Sequence, residues 1–238
     1  MAIIWLDDEG LVFPPLEQAT RTPNGLLAAG GDLRPERLIA AYRHGVFPWY
    51  EADQPILWWS PDPRLVLFPD RFKLSTSFRK FLRRHDYEVS FDRSFASVIR
   101  ACAQPRSYGP GTWITTEMQQ AYCRLHEKKL AHSVEVWEGD ELVGGLYGVA
   151  LGGVFFGESM FSRRSNTSKL AMAFLVWHLR AWGYQLIDCQ VVSRHLLTLG
   201  AEPVSRDDFR MLLLVNLGEP GKIGPWEPLI GVQQLYEF

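Results

Sequence analysis

The chain has 238 residues, of which 47% are apolar, and a formal net charge of −2. This length and apolar content suffice to bury the core of one large domain, or of a large domain and a small one. The overall charge indicates no general affinity for nucleic acid, and no apolar run is long enough to span a membrane. Acidic residues near the N terminus do not fit a signal peptide. We therefore expect a cytoplasmic protein without membrane contact.

The three cysteines are odd in number and widely spaced, at Cys102, Cys123 and Cys189. This usage predicts a reducing compartment and no zinc cluster. A thiol mechanism at Cys189 is a weak alternative, because no histidine lies near it in the sequence and a small buried hydrophobic role suits it better.

The first sixty residues predict a small domain. Loops and short strands are followed by a helix that begins near Asp32, has Pro35 in its first turn and ends at Gly45. The aromatic segment 47–59 then leads into a proline-rich, extended connection. We place the domain boundary there, which gives a small domain of residues 1–62 and a larger one of residues 63–238.

Residues 71–84 contain six of the 25 basic residues and none of the 27 acidic ones. A short helix in this segment would turn its aromatic and leucine side chains inward and would expose Lys80, Arg83 and Arg84. A local site for a polyanion explains this pattern, and so does an ordinary solvated helix face.

The larger domain is predicted to be mixed α/β. Residues 132–159 indicate three strands joined by tight turns, typical of an antiparallel meander. A long amphipathic helix follows over residues 168–182, with Gly183 at its end. Residues 186–190 then form a short buried strand, and the residues after 217 are expected to be a loose tail.

The short strand carries two polar residues in an apolar setting. Asp188 and Gln190 should point to one face of the sheet, whereas Ile187 and Cys189 point to the other. Burying unpaired polar groups is costly, so this pattern predicts either a functional pair or a structural pair that caps a neighbouring loop.

Eight stretches follow one another along nearly the whole chain. They are PNGLLAAGGDL (23–33), GVFPWY (45–50), ILWWSPDPR (56–64), GTWIT (111–115), HSVEVW (132–137), LVGGLYGVA (142–150), FGESMFS (156–162) and LIDCQ (186–190). Together they resemble the leucyl/phenylalanyl-tRNA–protein transferases. The resemblance implies a small N-terminal domain followed by a GNAT-like (acyl-CoA N-acyltransferase-like) domain.

The implied reaction moves Leu or Phe from aminoacyl-tRNA to the α-amino group of proteins that begin with Arg or Lys. It is aminolysis of an activated ester, so it requires no cofactor and no metal, and we expect a monomer. An acetyl-CoA-dependent acetyltransferase is the alternative. However, the loop 162–168 before the long helix lacks the glycines through which such enzymes approach pyrophosphate. A non-catalytic RNA-binding module remains a third possibility.

The resemblance also assigns site residues. Trp49 and Trp113 would stack on the terminal adenine of tRNA, and Lys80, Arg83 and Arg84 would bind its backbone. The aminoacyl side chain would enter a pocket in which methionines can repack around Leu, Phe or Met. The pocket residues implied by the family are Leu146, Phe155, Met160, Met172, Leu175 and Ile187.

Asp188, Gln190 and Glu158 are the predicted catalytic residues. The resemblance implies an Asp188–Gln190 relay that deprotonates the attacking amine. A free Asp has a pKa near ~3.9 and an α-amino group near ~7.8, so this transfer is uphill by roughly 5 kcal/mol unless burial raises the pKa of the Asp. Asp188 could instead orient the amine, with Gln190 fixing the carboxylate or the ester carbonyl. Glu158 could hold the acceptor's cationic side chain or the donor's amino group.

Overall fold

A computed structural model describes residues 3–104, 113–222 and 224–237. The first two residues of the GTWIT stretch, Gly111 and Thr112, lie outside these described residues.

A four-stranded sheet organises the N-terminal part, with strand order β1-β2-β4-β3. Helix α1 packs beside it; Pro35 occupies its first turn and Gly45, at φ 83°, ends it, as predicted. The elements are β1 Ile4–Leu6, a 3₁₀ helix Leu16–Gln18, β2 Leu26–Gly30, α1 Pro35–His44, β3 Phe47–Pro48 and β4 Leu57–Trp59.

A seven-stranded mixed sheet forms the larger part, with strand order β11-β5-β10-β9-β8-β7-β6. Strands β7, β8 and β9 form the predicted antiparallel meander, while β9 and β10 are parallel. The strands are β5 Arg64–Leu67, β6 Glu88–Phe91, β7 Ala131–Glu138, β8 Glu141–Leu151, β9 Val154–Ser162, β10 Leu186–Gln190 and β11 Glu202–Val204.

In the described residues, six helices accompany this sheet. They are α2 Thr76–Leu82, α3 Phe95–Cys102, α4 Thr116–Glu127, α5 Thr167–Ala181, α6 Arg194–Thr198 and α7 Arg206–Asn216, with 3₁₀ helices at Pro69–Arg71 and Val232–Glu237. The long helix α5 makes the crossover between the parallel strands β9 and β10. The predicted mixed α/β fold is confirmed, and its element order agrees with a GNAT-like domain. None of the helices in the described part of the chain is long and apolar enough to cross a bilayer.

The large sheet separates two hydrophobic cores. The first contains residues of α1, α3, α4 and α7, and Phe156 of β9 points into it. The second lies under α5 and α2, and Phe155 points into it. Successive residues of one strand face opposite sides, so the two phenylalanines mark the two faces. We name them the α4 face, which contains Phe156, and the α5 face, which contains Phe155.

Strands β9 and β10 separate after a short paired stretch. They pair only from Leu186–Val154 to Asp188–Phe156. Beyond that point β9 stays with β8, whereas β10 bulges against β5 and Gln190 takes a positive φ of 63°. The separation opens a gap in the sheet, and this gap positions the candidate site.

The N-terminal part is fixed against the rest of the protein. Phe47 and Trp58 share the first core with Phe209 of α7. The guanidinium of Arg206 donates hydrogen bonds to the carbonyl oxygens of Ser60 and Leu16, at 2.9 and 3.0 Å. The proposed domain boundary after residue 62 falls between β4 and β5 and stays a prediction.

The expectation of a loose tail is wrong. Trp226, Val232 and Leu235 are 4%, 5% and 0% exposed and belong to the second core. Val232 and Leu235 belong to the 3₁₀ helix at the end of the tail, whereas Trp226 precedes it and fills a gap as a single side chain that no sequence pattern marks.

Gly148 is required by its neighbours in the meander. A Cβ atom at this position would lie 2.3 Å from the Phe156 carbonyl oxygen and 2.5 Å from the Phe155 ring. We expect Gly148→Ala to lower the free energy of unfolding by about 1–3 kcal/mol, measured by urea denaturation. Gly218→Ala is the matched control, since its nearest contact would be an ordinary 3.5 Å. Equal stability of both variants would contradict the packing described.

Candidate active site

A cavity of about 830 Å³ lies where β9 and β10 separate. Its volume is within the range of small-molecule sites. Its walls come from both sheet strands, from α3, α5 and α6, and from the N-terminal segment 47–49. Ten of the residues predicted from the sequence line it, namely Trp49, Trp113, Leu146, Phe155, Glu158, Met160, Met172, Leu175, Ile187 and Gln190. Four do not line it, namely Lys80, Arg83, Arg84 and Asp188.

The apolar end of the cavity lies on the α5 face. Leu146 and Met160 are paired neighbours on β8 and β9, and Phe155 pairs with Ile187 across β9 and β10. Met172 comes from α5 and covers them, and Leu175 lies one turn further along the helix. These side chains form a largely buried apolar pocket that suits a hydrocarbon side chain.

The two predicted stacking residues, Trp49 and Trp113, line the same cavity. Trp49 is 40% exposed, and its ring is 5.7 Å from that of Trp59. The Trp59 indole N–H donates to the Trp49 carbonyl oxygen at 2.6 Å, which fixes the backbone there. The hydroxyl groups of Tyr50 and Thr115, each near one of the tryptophans in sequence, are 3.5 Å apart. The N-terminal segment is thereby held close to the chain that carries Trp113.

Asp188 is buried beside the cavity rather than in its wall. Its two carboxylate oxygens accept hydrogen bonds from Nε and Nη2 of Arg64, at 2.8 and 2.7 Å. Both side chains are completely buried. A bidentate contact of this kind is the geometry that compensates two buried charges best.

The contacts of Arg64 extend to three parts of the chain. Its guanidinium lies over the rings of Phe47 and Phe209, 4.7 and 4.5 Å from their centroids. The Asp188 carboxylate, in turn, accepts the backbone N–H of Gln190 at 2.9 Å. The ion pair therefore holds the bulge from which the Gln190 side chain leaves β10.

The predicted alternation along β10 is confirmed. Asp188 and Gln190 contact groups on the α4 face, whereas Ile187 and Cys189 pack in the second core. Burial raises the pKa of the Cys189 thiol far above its usual range. A thiolate nucleophile is therefore not favoured at this position.

Glu158 is the carboxyl group that faces the cavity, and three side chains hold it. Tyr42 of α1 donates to Oε1 at 2.8 Å, and Tyr122 of α4 donates to Oε2 at 2.9 Å. Gln190 Nε2 also donates to Oε1, at 2.8 Å, across the gap between β9 and β10. The hydroxyl groups of Tyr42 and Tyr122 contact each other as well.

Burial makes this carboxyl group hold a proton more readily than an exposed one. The contacts among Tyr42, Tyr122 and Glu158 form a closed ring of three O···O pairs. Burial, the largest cause, together with the Asp188 charge raises the pKa of Glu158 to about 7, although the hydrogen bonds from Tyr42, Tyr122 and Gln190 lower it. Burial also keeps the pKa values of both phenols well above the usual range, so they remain protonated donors.

The loop before α5 is closed to a pyrophosphate group. The Ser162 hydroxyl accepts the backbone N–H of Ser168 at 2.9 Å. Thr167 Oγ1 lies 2.9 Å from the carbonyl oxygens of Val143 and Arg164. An amide at this helix terminus is therefore already satisfied within the protein, and the absence of glycine keeps the backbone from approaching a phosphate closely.

The basic segment lies on the surface, outside the cavity. Lys80, Arg83 and Arg84 are exposed at the end of α2, while Phe78 and Leu82 are buried beneath them. The predicted orientation of this helix is confirmed, whereas a role in binding RNA stays a prediction.

Sequence reasoning missed three residues that shape the site. Arg64 lies at the end of a proline-rich motif, and nothing in the surrounding sequence indicates that it pairs with Asp188. Tyr42 and Tyr122 lie on the apolar faces of α1 and α4, where a tyrosine is an ordinary core residue. Only a buried hydroxyl's need for a partner hinted at their role. His195, which also lines the cavity, was not predicted either.

Comparison with known proteins gives consistent matches. A family model described as leucyl/phenylalanyl-tRNA protein transferase matches residues 66–214, and one for the N-terminal domain of that family matches residues 31–62. The leucyl/phenylalanyl-tRNA–protein transferase of Stutzerimonas stutzeri (strain A1501) is 61% identical over 92% of this chain and 96% of its own length. The corresponding protein of Pseudomonas fluorescens (strain SBW25) is 58% identical over 94% of this chain and 99% of its own.

Solved structures are more distantly similar. A GCN5-related N-acetyltransferase from Kribbella flavida is 12% identical with a TM-score of 0.35, covering 72% of this chain and 61% of that one. L-PGS from Bacillus licheniformis is 11% identical with a TM-score of 0.40, covering 70% of this chain and 53% of that one. Scores of this size add nothing to what the sheet topology already shows.

The buried ion pair makes a prediction about stability. Either Asp188→Asn or Arg64→Met leaves one buried group without its partner, so each should lower the free energy of unfolding by roughly 3–5 kcal/mol. The double variant should lose much less than the sum of the two single losses, because neither unpaired charge remains. Urea denaturation of the four proteins measures this coupling. Strictly additive losses would contradict a direct interaction.

Proposed function

The chain belongs to the leucyl/phenylalanyl-tRNA–protein transferases, enzymes that use an aminoacyl-tRNA and an acceptor protein, and we propose that it transfers Leu, Phe or Met to N-terminal Arg or Lys. The product would carry a new N-terminal residue that marks it for degradation as an N-degron. The main support for this mechanism is the cavity, which is lined both by an apolar pocket and by Glu158.

The cavity can hold the donor in one orientation. The apolar residues of the α5 face accept the Leu or Phe side chain, and the terminal adenosine reaches Trp49 and Trp113. Stacking of one base on an aromatic side chain contributes about 1–3 kcal/mol. The ester bond then lies between these ends, close to Gln190 and Glu158.

Glu158 is the group we assign to the proton of the attacking amine. A carboxyl group with a pKa of about 7 can both accept and release a proton near neutral pH. Asp188 already has both carboxylate oxygens engaged by Arg64 and does not line the cavity. In this proposal Asp188 is a positioning residue that fixes Gln190, and the relay predicted from the resemblance is replaced.

The reaction forms an amide bond and releases the tRNA with a free ribose hydroxyl. The neutral amine of the acceptor attacks the ester carbonyl carbon, and the new C–N bond forms. Glu158 takes the excess proton from nitrogen. The bond between the carbonyl carbon and the ribose oxygen breaks, and the same proton passes to that oxygen. General acid–base catalysis of this kind typically contributes 10²–10⁴-fold in rate.

An acetyl-CoA-dependent reaction is less well supported. The loop 162–168 has no glycine, and Ser162 occupies the amide of Ser168. An acetyl-CoA titration that showed tight binding would reverse this preference.

The proposed mechanism makes a pH prediction for single-turnover transfer of Leu from tRNA to an Arg-initiated peptide. Transfer requires that Glu158 is ionised and that the acceptor amine is neutral. The transfer rate therefore falls as the pH drops below the pKa of either group, because that group becomes protonated. The logarithm of kcat/KM for the wild type should rise with a slope approaching about 2 below pH 7, and with a slope of about 1 in Glu158→Gln. The variant should also be about 10²–10⁴-fold slower near pH 7.

Asp188→Asn is the comparison variant in that experiment. It should be slower at every pH but keep the wild-type slope. Loss of the slope in Asp188→Asn, with Glu158→Gln unchanged, would restore the Asp188 relay. Absence of transfer from wild type with Leu-, Phe- and Met-tRNA would reject the proposed function altogether.

We also propose that the basic segment binds the tRNA backbone. Lys80→Ala with Arg84→Ala removes two exposed charges four residues apart. The slope of log affinity against log salt should fall by about 1–2 if both contact phosphates. Arg124→Ala with Lys128→Ala is a matched pair on α4 and should leave the slope unchanged. Equal changes in both double variants would show that the effect comes from net charge alone.

A further inference from the structure

The C-terminal tail places an indole directly behind the apolar pocket. Trp226 is 4% exposed, and its ring centroid is 6.0 Å from that of Phe155, which lines the cavity. Trp226 itself does not line the cavity but stacks on His132, with centroids 3.9 Å apart and planes inclined by 4°. It lies beyond the part of the chain that the family model matches.

Backbone hydrogen bonds hold the tail in place. The backbone N–H of Leu229 donates to His178 Nε2 at 2.9 Å, while His178 Nδ1 donates to the Phe174 carbonyl oxygen at 2.7 Å. These two contacts require a neutral imidazole, and burial lowers the pKa of His178 to about 4. The backbone N–H of Lys222 also donates to the Tyr184 hydroxyl, at 3.1 Å. The tail is thus fixed on both sides of Trp226.

The Phe155 ring is confined between the meander and the tail. Gly148 of β8 leaves room for the ring, because any Cβ there would come within 2.5 Å of it. On another side Trp226 fills the space into which the ring could otherwise turn. Away from the cavity, the close-packed interior leaves the ring little other free volume. The position of Phe155 in the pocket therefore depends on a residue that the donor does not touch.

We propose that Trp226 sets the size of the side chain that the aminoacyl pocket accepts, acting as a positioning residue through Phe155. The inference rests on the proposed function, since it takes this pocket as the site of the donor side chain. Removing the indole lets Phe155 turn away from the cavity and deepens the pocket. The kcat/KM for aromatic donors larger than Phe then rises relative to the kcat/KM for Phe.

The test compares Trp226→Leu with wild type, using one tRNA body charged in turn with Phe and with Trp. The ratio of kcat/KM for Trp to kcat/KM for Phe should rise about tenfold, the effect of a methylene-sized change in an apolar pocket. Both donors are measured on one enzyme preparation, so a uniform loss of folded protein cancels. Trp226→Phe, a smaller change, should give an intermediate rise and serves if Trp226→Leu does not fold.

Trp182→Leu is the matched control. Trp182 belongs to the same aromatic cluster, 4.9 Å from Trp226 and 5.5 Å from Phe91, and among the described ring contacts it has none with Phe155. Its ratio should stay at the wild-type value. An unchanged ratio in the Trp226 variants, or an equal rise in Trp182→Leu, overturns this inference while wild-type transfer continues. Wild-type enzyme that transfers neither Leu nor Phe overturns the proposed function, and this inference with it.

Discussion

A buried ion pair between Arg64 and Asp188 determines the shape of the cavity. Two charges withdrawn from water are tolerated only in good geometry, and here both carboxylate oxygens are bound by one guanidinium. That guanidinium also lies against Phe47 of the N-terminal part and Phe209 of α7. The end of β10, the N-terminal sheet and the last helix thus share one contact. Through the hydrogen bond from the Gln190 backbone to Asp188, it also helps to fix the bulge that turns Gln190 toward Glu158.

Two carboxyl groups on one face of the sheet, those of Asp188 and Glu158, lie in different electrostatic surroundings. Asp188 accepts hydrogen bonds from a full positive charge, whereas the hydrogen-bond donors to Glu158 in the described part of the chain, Tyr42, Tyr122 and Gln190, are neutral. A neutral donor stabilises a buried anion less than a cation does, so Glu158 can change its protonation state near neutral pH. Pairs of groups separated in this way are the usual sign of distinct roles in a site. The sequence pattern singled out Asp188 because it interrupts an apolar strand, but the surroundings favour Glu158 for proton transfer.

The regular elements could be predicted because their signals are local. Helix α5 has apolar residues at helical spacing with Gly183 after it, and the meander has alternating strands with tight turns. The network around Glu158 could not be predicted, because Tyr42 lies 116 residues away from its partner and no local pattern encodes such a contact. The same holds for Arg64, which is 124 residues from Asp188. Trp226 is a single aromatic residue in the C-terminal tail, and only its burial shows that it packs behind the pocket wall.

At the gap between β9 and β10, the proposed side-chain pocket and the proposed proton acceptor lie on opposite faces of the sheet. The apolar pocket occupies the α5 face, with Phe155 in its wall, whereas Glu158 and its hydrogen-bond ring occupy the α4 face. Both residues belong to β9, three positions apart, which corresponds to about 10 Å of strand. This distance is fixed by the backbone and does not change when side chains around the pocket are altered. In the proposed mechanism, a deeper or shallower pocket therefore changes which donor side chain fits, while Glu158 keeps its place relative to the ester.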